Sequence, residues 1–248
     1  MKRNVKNVAI SVCSVSALAL VASCASEGAS SGDESGGSDF EQVKESLTSW
    51  DDLCEVLDPD DVTGQMGIAG YEYDNPTHVD LGGALNADAI SCTAEYSIEQ
   101  DGPDRVSYGE VLLSVFPADS SEHLDEMYEM RLSGWADSNI DSEADSEILL
   151  DDELEGPWNE AQVRAVGQSD SDSASLISSM KADTHLVEVF LVVPPDIGVN
   201  LAQSYDLSDE EINERRHFDF DFEELATWVA DDYTEKAFDS VSASLQDE

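Results

Sequence analysis

Four histidines, four cysteines and 56 carboxylates are the side chains from which this 248-residue chain could build chemistry. Hydrolytic or metal chemistry needs such groups at short, convergent spacings. His78, His123, His185 and His217 stand singly, with no pair four residues apart and no Gly-x-Ser-x-Gly elbow elsewhere in the chain. The acidic runs DPDD (58–61), DSD (170–172) and DFD (219–221) lack the glycine and terminal glutamate of a calcium loop. Carboxylates are so abundant that any catalytic pair picked from them would be arbitrary. The expectation is a non-catalytic protein without catalytic residues, metal or cofactor; an envelope hydrolase is the competing class.

Cysteine is the more informative residue. Cys24 ends the stretch Val21-Ala22-Ser23-Cys24, which resembles a bacterial lipobox. Lys2, Arg3 and Lys6 precede an apolar run from Val8 to Ala22, interrupted by Ser11, Ser14 and Ser16. Residues 1–23 thus read as a signal peptide, the apolar part being shorter than the ~20 residues of a membrane span. The resemblance implies cleavage before Cys24, a diacylglyceryl thioether on its sulfur and acylation of the new amino group. Each buried methylene contributes about 0.8 kcal/mol, and stable anchoring needs more than one chain. The expected partner of Cys24 is therefore the lipid bilayer, at the extracytoplasmic face of the cell membrane. Residues 24–39, rich in glycine, serine and acid, would form a flexible tether spanning roughly 20 Å on average.

With Cys13 in the leader and Cys24 assigned to lipid, Cys54 and Cys92 remain. An even remainder in an oxidising compartment favours a disulfide. A zinc-binding thiol pair or a redox couple would need Cys-x-x-Cys spacing or a third nearby ligand, and neither is present.

The formal charge is −45, and three of the eleven basic residues lie in the leader. Such a surface excludes nucleic acid and anionic headgroups as partners. Its self-repulsion is relieved by salt, since the Debye length falls to about 3 Å at 1 M. A saline habitat explains the charge most simply; binding of cations or of a basic partner is the alternative.

Residues 40–248 carry the folded part, with no second Gly/Ser-rich break to divide them. Phe40, Val43, Leu47, Trp50, Leu53, Val56 and Leu57 follow helical spacing over 39–57, with Asp39 placed to cap. Residues 89–99 and 105–116 read as strands joined by QDGPD. A helix is expected over 119–135, then an acidic loop at 136–157 holding a short strand at EILL. Three strand-like runs follow at 160–168, 174–182 and 185–193; the last is apolar on both faces except at Glu188, which marks a central strand. Residues 221–245 form a C-terminal amphipathic helix. The order α-ββ-α-βββ-α predicts an α+β domain with an antiparallel sheet packed by amphipathic helices.

The stretch WDDLCEVLDPDDV followed by Cys92 resembles an actinobacterial cell-envelope lipoprotein family of unknown function. In that family the second cysteine usually precedes a tryptophan by two residues; here Ala94 stands at that place and Tyr96 is the nearest aromatic. The chain also resembles lipoproteins of the Mog1/PsbP-like fold. These resemblances imply a lipidated cysteine, a Cys54–Cys92 bridge and a place in the cell envelope, and they carry no catalytic chemistry.

Candidate binding residues are few. Trp158, in EGPWNEA, falls off any periodic face and is a candidate for a pocket rim. Arg215, Arg216 and His217 form the one basic cluster, suited either to pairing with Asp209, Glu210 and Glu211 or to contacting an anion. The segments 64–88 and 194–217 are long, non-periodic loops, which in compact domains are often functional. The expected function is a lipid-anchored binding module whose partner is an envelope protein or a small ligand, with a small-ligand carrier or a purely architectural lipoprotein as alternatives.

Overall fold

The computed structural model describes residues 36–50, 53–67, 71–78, 89–99, 106–139, 146–168, 173–196 and 220–246, together with 199, 205, 207, 208, 210, 211, 214 and 218. Among them, seven strands form one antiparallel sheet in the order β1-β2-β3-β7-β6-β5-β4. They are β1 (Tyr71–His78), β2 (Ile90–Glu99), β3 (Val106–Pro117), β4 (Ser146–Glu153), β5 (Glu160–Gln168), β6 (Ser173–Lys181) and β7 (His185–Val193). Two meanders, β1–β3 and β4–β7, meet where β3 pairs with β7. β7 is the middle strand, as its two apolar faces require.

The helices are α1 (Gly36–Ser49), α2 (Leu53–Leu57), α3 (Asp60–Gln65), α4 (Ser121–Asn139), α5 (Phe222–Trp228) and α6 (Thr234–Gln246), the last two joined by a π-helical turn, Val229–Tyr233. Strand alternation separates two cores. Cys92, Leu113, Val189 and Met180 point to the face covered by α2, α3, α5 and α6, whereas Phe116 and Leu186 point to the face covered by α4. Side-chain caps start two of the helices. Before α4, the Ser120 hydroxyl accepts the His123 N–H while His123 Nδ1 accepts the Asp119 N–H. Before α5, Asp221 accepts the N–H groups of Glu223 and Glu224.

The α+β class and antiparallel sheet agree with the sequence pattern, but each run of strands has one more member than expected. Tyr71–His78 lies inside the segment expected to be a loop. Its sequence, YEYDNPTH, hides a strand because Pro76 and three polar neighbours break any alternation; the register with β2 shifts between Asp74 and Thr77 to accommodate them. An edge position tolerates that proline. Likewise, the short strand expected at EILL is eight residues long. β4 is the other edge, mostly exposed, and a register shift between Ile148 and Leu150 erases its period. Acidic side chains and a bulge blunt an edge against further pairing. The helix expected over 39–57 is two helices, and Asp39 sits in the first turn of α1 rather than before it. The C-terminal helix carries the π turn, where the Thr234 hydroxyl donates to the Val229 carbonyl at 2.7 Å.

Cys54 and Cys92 form a disulfide with Cα atoms 5.2 Å apart, tying α2 to β2. Nearby, the Tyr96 ring lies flat over Gly109, its direct partner on β3. A Cβ at 109 would stand 2.2 Å from the ring, so glycine is required there. The Tyr96 hydroxyl then reaches across to donate to the Val192 carbonyl at 2.7 Å.

Candidate functional site

The β6–β7 connection, Ala182–Thr184, turns at one end of the sheet beneath α1 and α6. A cleft of about 430 Å³ opens there between the two helices and the β4–β5 loop. Gln42 and Ser46 on α1, Asn159 on the loop, Asp183 on the turn and Phe238 and Ser242 on α6 line it. Helical spacing makes this possible: positions 42 and 46, like 238 and 242, are four apart and share a face. Asn159 Nδ2 donates to Asp183 Oδ1 at 2.8 Å, fixing an amide and a carboxylate side by side at the mouth. The Asn159 N–H also donates to the Lys181 carbonyl at 2.9 Å, which holds the loop against the turn.

His185 opens β7 and forms the floor. It is 5 % exposed, and its ring lies nearly parallel to Phe238 with centroids 6.4 Å apart. Nδ1 faces the Thr184 hydroxyl at 3.2 Å. Nε2 is buried and has no hydrogen-bond partner among the described residues. Burial pushes the imidazole down to about 4, against a weaker upward pull from Asp183. His185 is thus neutral near pH 7 and faces a hydroxyl rather than a carboxylate.

A depressed histidine has a consequence for stability. Between the unfolded value of about 6.5 and the folded value of about 4, the unfolded chain binds more protons, so stability falls as pH falls through that window. From pH 7 to pH 4.5 the wild type should lose about 2–3 kcal/mol more than His185→Gln. Urea unfolding at the two pH values checks this; equal losses in the two proteins would contradict it.

Trp158 does not stand free in solvent. It is half-buried, its Nε1 donates to the Leu154 carbonyl at 2.9 Å, and its ring meets Phe238 edge-on at 5.6 Å. A Cβ on residue 156 would lie 2.3 Å from that ring, so Gly156 lets the tryptophan fold back on its own loop. The other side of the ring borders a second hollow of about 530 Å³, whose rim carries Asp152, Glu153, Glu155, Asp231 and Glu235. Trp158 is therefore a wall between the cleft's Phe238 and an acidic trough beside the π turn.

Cys24, Arg215, Arg216 and His217 lie outside the described residues, as does most of the 194–217 segment. Of that segment, Asp196 is fully buried and accepts from the Val199 and Phe218 N–H groups, clasping its two ends together. No three His, Cys, Asp or Glu side chains among the described residues converge to hold a metal ion. The cleft residues were not prominent in the sequence because four separated segments supply them and none carries a motif. The one available signal was His185, a lone histidine opening a strand that is otherwise apolar except at Glu188. No protein-family model, curated protein or solved structure matches this chain.

Proposed function

We propose that this chain is a lipid-anchored, extracytoplasmic binding module of the cell envelope, and that the cleft above His185 is its ligand site. The cleft carries the proposal: it joins a small-molecule volume to paired polar groups and a buried, neutral imidazole, without a catalytic constellation. Three further features support the placement. The Cys54–Cys92 disulfide suits an oxidising compartment. The acidic surface suits an exterior of high ionic strength. The leader, lipobox and tether, with the lipoprotein family the chain resembles, supply export and anchoring.

Two experiments test the two halves. Ser242→Trp places an indole in the cleft, so native mass spectrometry of the protein taken from its own envelope should show a small non-covalent adduct on the wild type and none on the variant. An adduct retained equally by both would move the site elsewhere. Mass spectrometry of the mature N-terminal peptide should show a chain beginning at Cys24 that carries a diacylglyceryl group on sulfur and an acyl chain on the amino group. A mature chain that carries no acyl mass at Cys24 would overturn the anchor.

A further inference from the structure

We propose that the cleft takes an uncharged, polyhydroxylated ligand, a mono- or disaccharide, held by His185 Nε2 and by the Asn159–Asp183 pair. This rests on the cleft being the ligand site. Charge narrows the class first. Among the described residues no lysine or arginine lines the cleft, and Asp39 and Asp183 do, so its charges repel an anionic ligand.

Hydrogen-bonding chemistry narrows it further. Thr184 can donate to or accept from Nδ1, so Nε2 presents either an N–H or a lone pair. A hydroxyl answers both, being donor and acceptor at once. An ammonium only donates, and a carboxylate only accepts. Gln42, Asn159 and Ser242 have the same dual character. An ammonium ligand would engage only their acceptor oxygens and leave the N–H and O–H groups to water. Neighbouring hydroxyls on a sugar ring suit the fixed Asn159–Asp183 pair, where an amide and a carboxylate lie 2.8 Å apart. The volume of about 430 Å³ falls within the ~300–1,000 Å³ of small-molecule sites.

Nε2 is closed off from bulk solvent, so contact with it requires a small side-chain movement at the cleft floor. Rotamer changes of that size commonly accompany binding.

Isothermal titration of the full chain in detergent would use glucose, N-acetylglucosamine, trehalose and maltose, with putrescine, arginine and citrate as charged probes. At least one saccharide should saturate with Kd of about 1 mM or tighter. Asn159→Ala, a substitution at an exposed loop position, should weaken that binding tenfold or more without moving the melting temperature, and His185→Gln should weaken it as well. Saturation by putrescine or arginine with no saccharide binding would overturn the ligand class while leaving the cleft as the site. A saccharide whose affinity is unchanged in Asn159→Ala would overturn the placement. Absence of binding by every saccharide up to about 50 mM would reject the class, and the Ser242→Trp adduct experiment then judges the cleft independently.

Discussion

Arg131→Met should lower the unfolding free energy by about 3–5 kcal/mol, the largest loss expected from any single substitution here. Glu188 lies at the middle of the middle strand and is 1 % exposed. Its neighbours in register across four strands are Ser114, Ser91 and Ser179, so a polar band crosses the sheet beneath α4. Ser91 and Ser114 hydrogen-bond each other at 2.9 Å, and the Ser179 hydroxyl donates to Glu188 at 3.3 Å. Arg131, reaching down from α4, supplies the charge partner: Nε donates to Oε2 at 2.9 Å and the NH2 group bonds Oε1. Its guanidinium also lies 4.7 Å from the Phe116 ring centroid. Burial alone would lower the guanidinium's pKa, but the hydrogen bonds and charge of Glu188 outweigh it and hold it above its ordinary value. Removing the arginine strands a carboxylate in the core, and the cost is that desolvation.

The control is the double variant Arg131→Met/Glu188→Met. A buried pair replaced by apolar side chains of similar volume is often close to neutral, so the double variant should recover most of what the single loses. Urea unfolding of the wild type, the two single variants and the double completes the cycle. Additive losses would show that the two residues act independently.

The second large effect is the disulfide. Cys54 and Cys92 are 38 residues apart, and closing a loop of that length contributes about 4 kcal/mol on the chain-entropy model. Cys54→Ala/Cys92→Ala should lower stability by roughly that amount. The damage should concentrate in β1, an edge strand that lies within the closed segment and pairs only with β2. Hydrogen exchange reads this out. In the variant, β1 amides should exchange well ahead of those in β7. Uniform acceleration across the sheet would instead mean that the bridge acts on global stability alone.

Much of this fold is visible in the sequence where burial is one-sided or complete. Val187, Val189, Leu191 and Val193 alternate with residues that also meet a covered face, so β7 reads as central before any pairing is known. The cysteine pair was legible by elimination, once Cys13 and Cys24 had been assigned to the leader and the lipobox. Of the two edge strands, β1 was not legible and β4 only as the four residues EILL, because a strand with little to bury loses the alternation that announces it. Pro76 and the acidic residues of β4 protect edges, and the same residues disguise strands. The cleft was illegible for a different reason. His185, Asn159, Gln42 and Phe238 come together only after the β6–β7 turn, the β4–β5 loop and both terminal helices have packed.

Under the proposed function, this protein binds its ligand in the cleft above His185. The imidazole ¹⁵N resonances of His185, followed in the full chain during titration with the tightest-binding saccharide, test it most directly. Ligand in the cleft should give a saturable shift of Nε2 larger than that of Nδ1, with backbone changes confined to α1, Asn159, the β6–β7 turn and α6. An unmoved Nε2, with the changes gathered instead around Asp152, Glu155 and Asp231, would contradict it and give the site to the acidic trough.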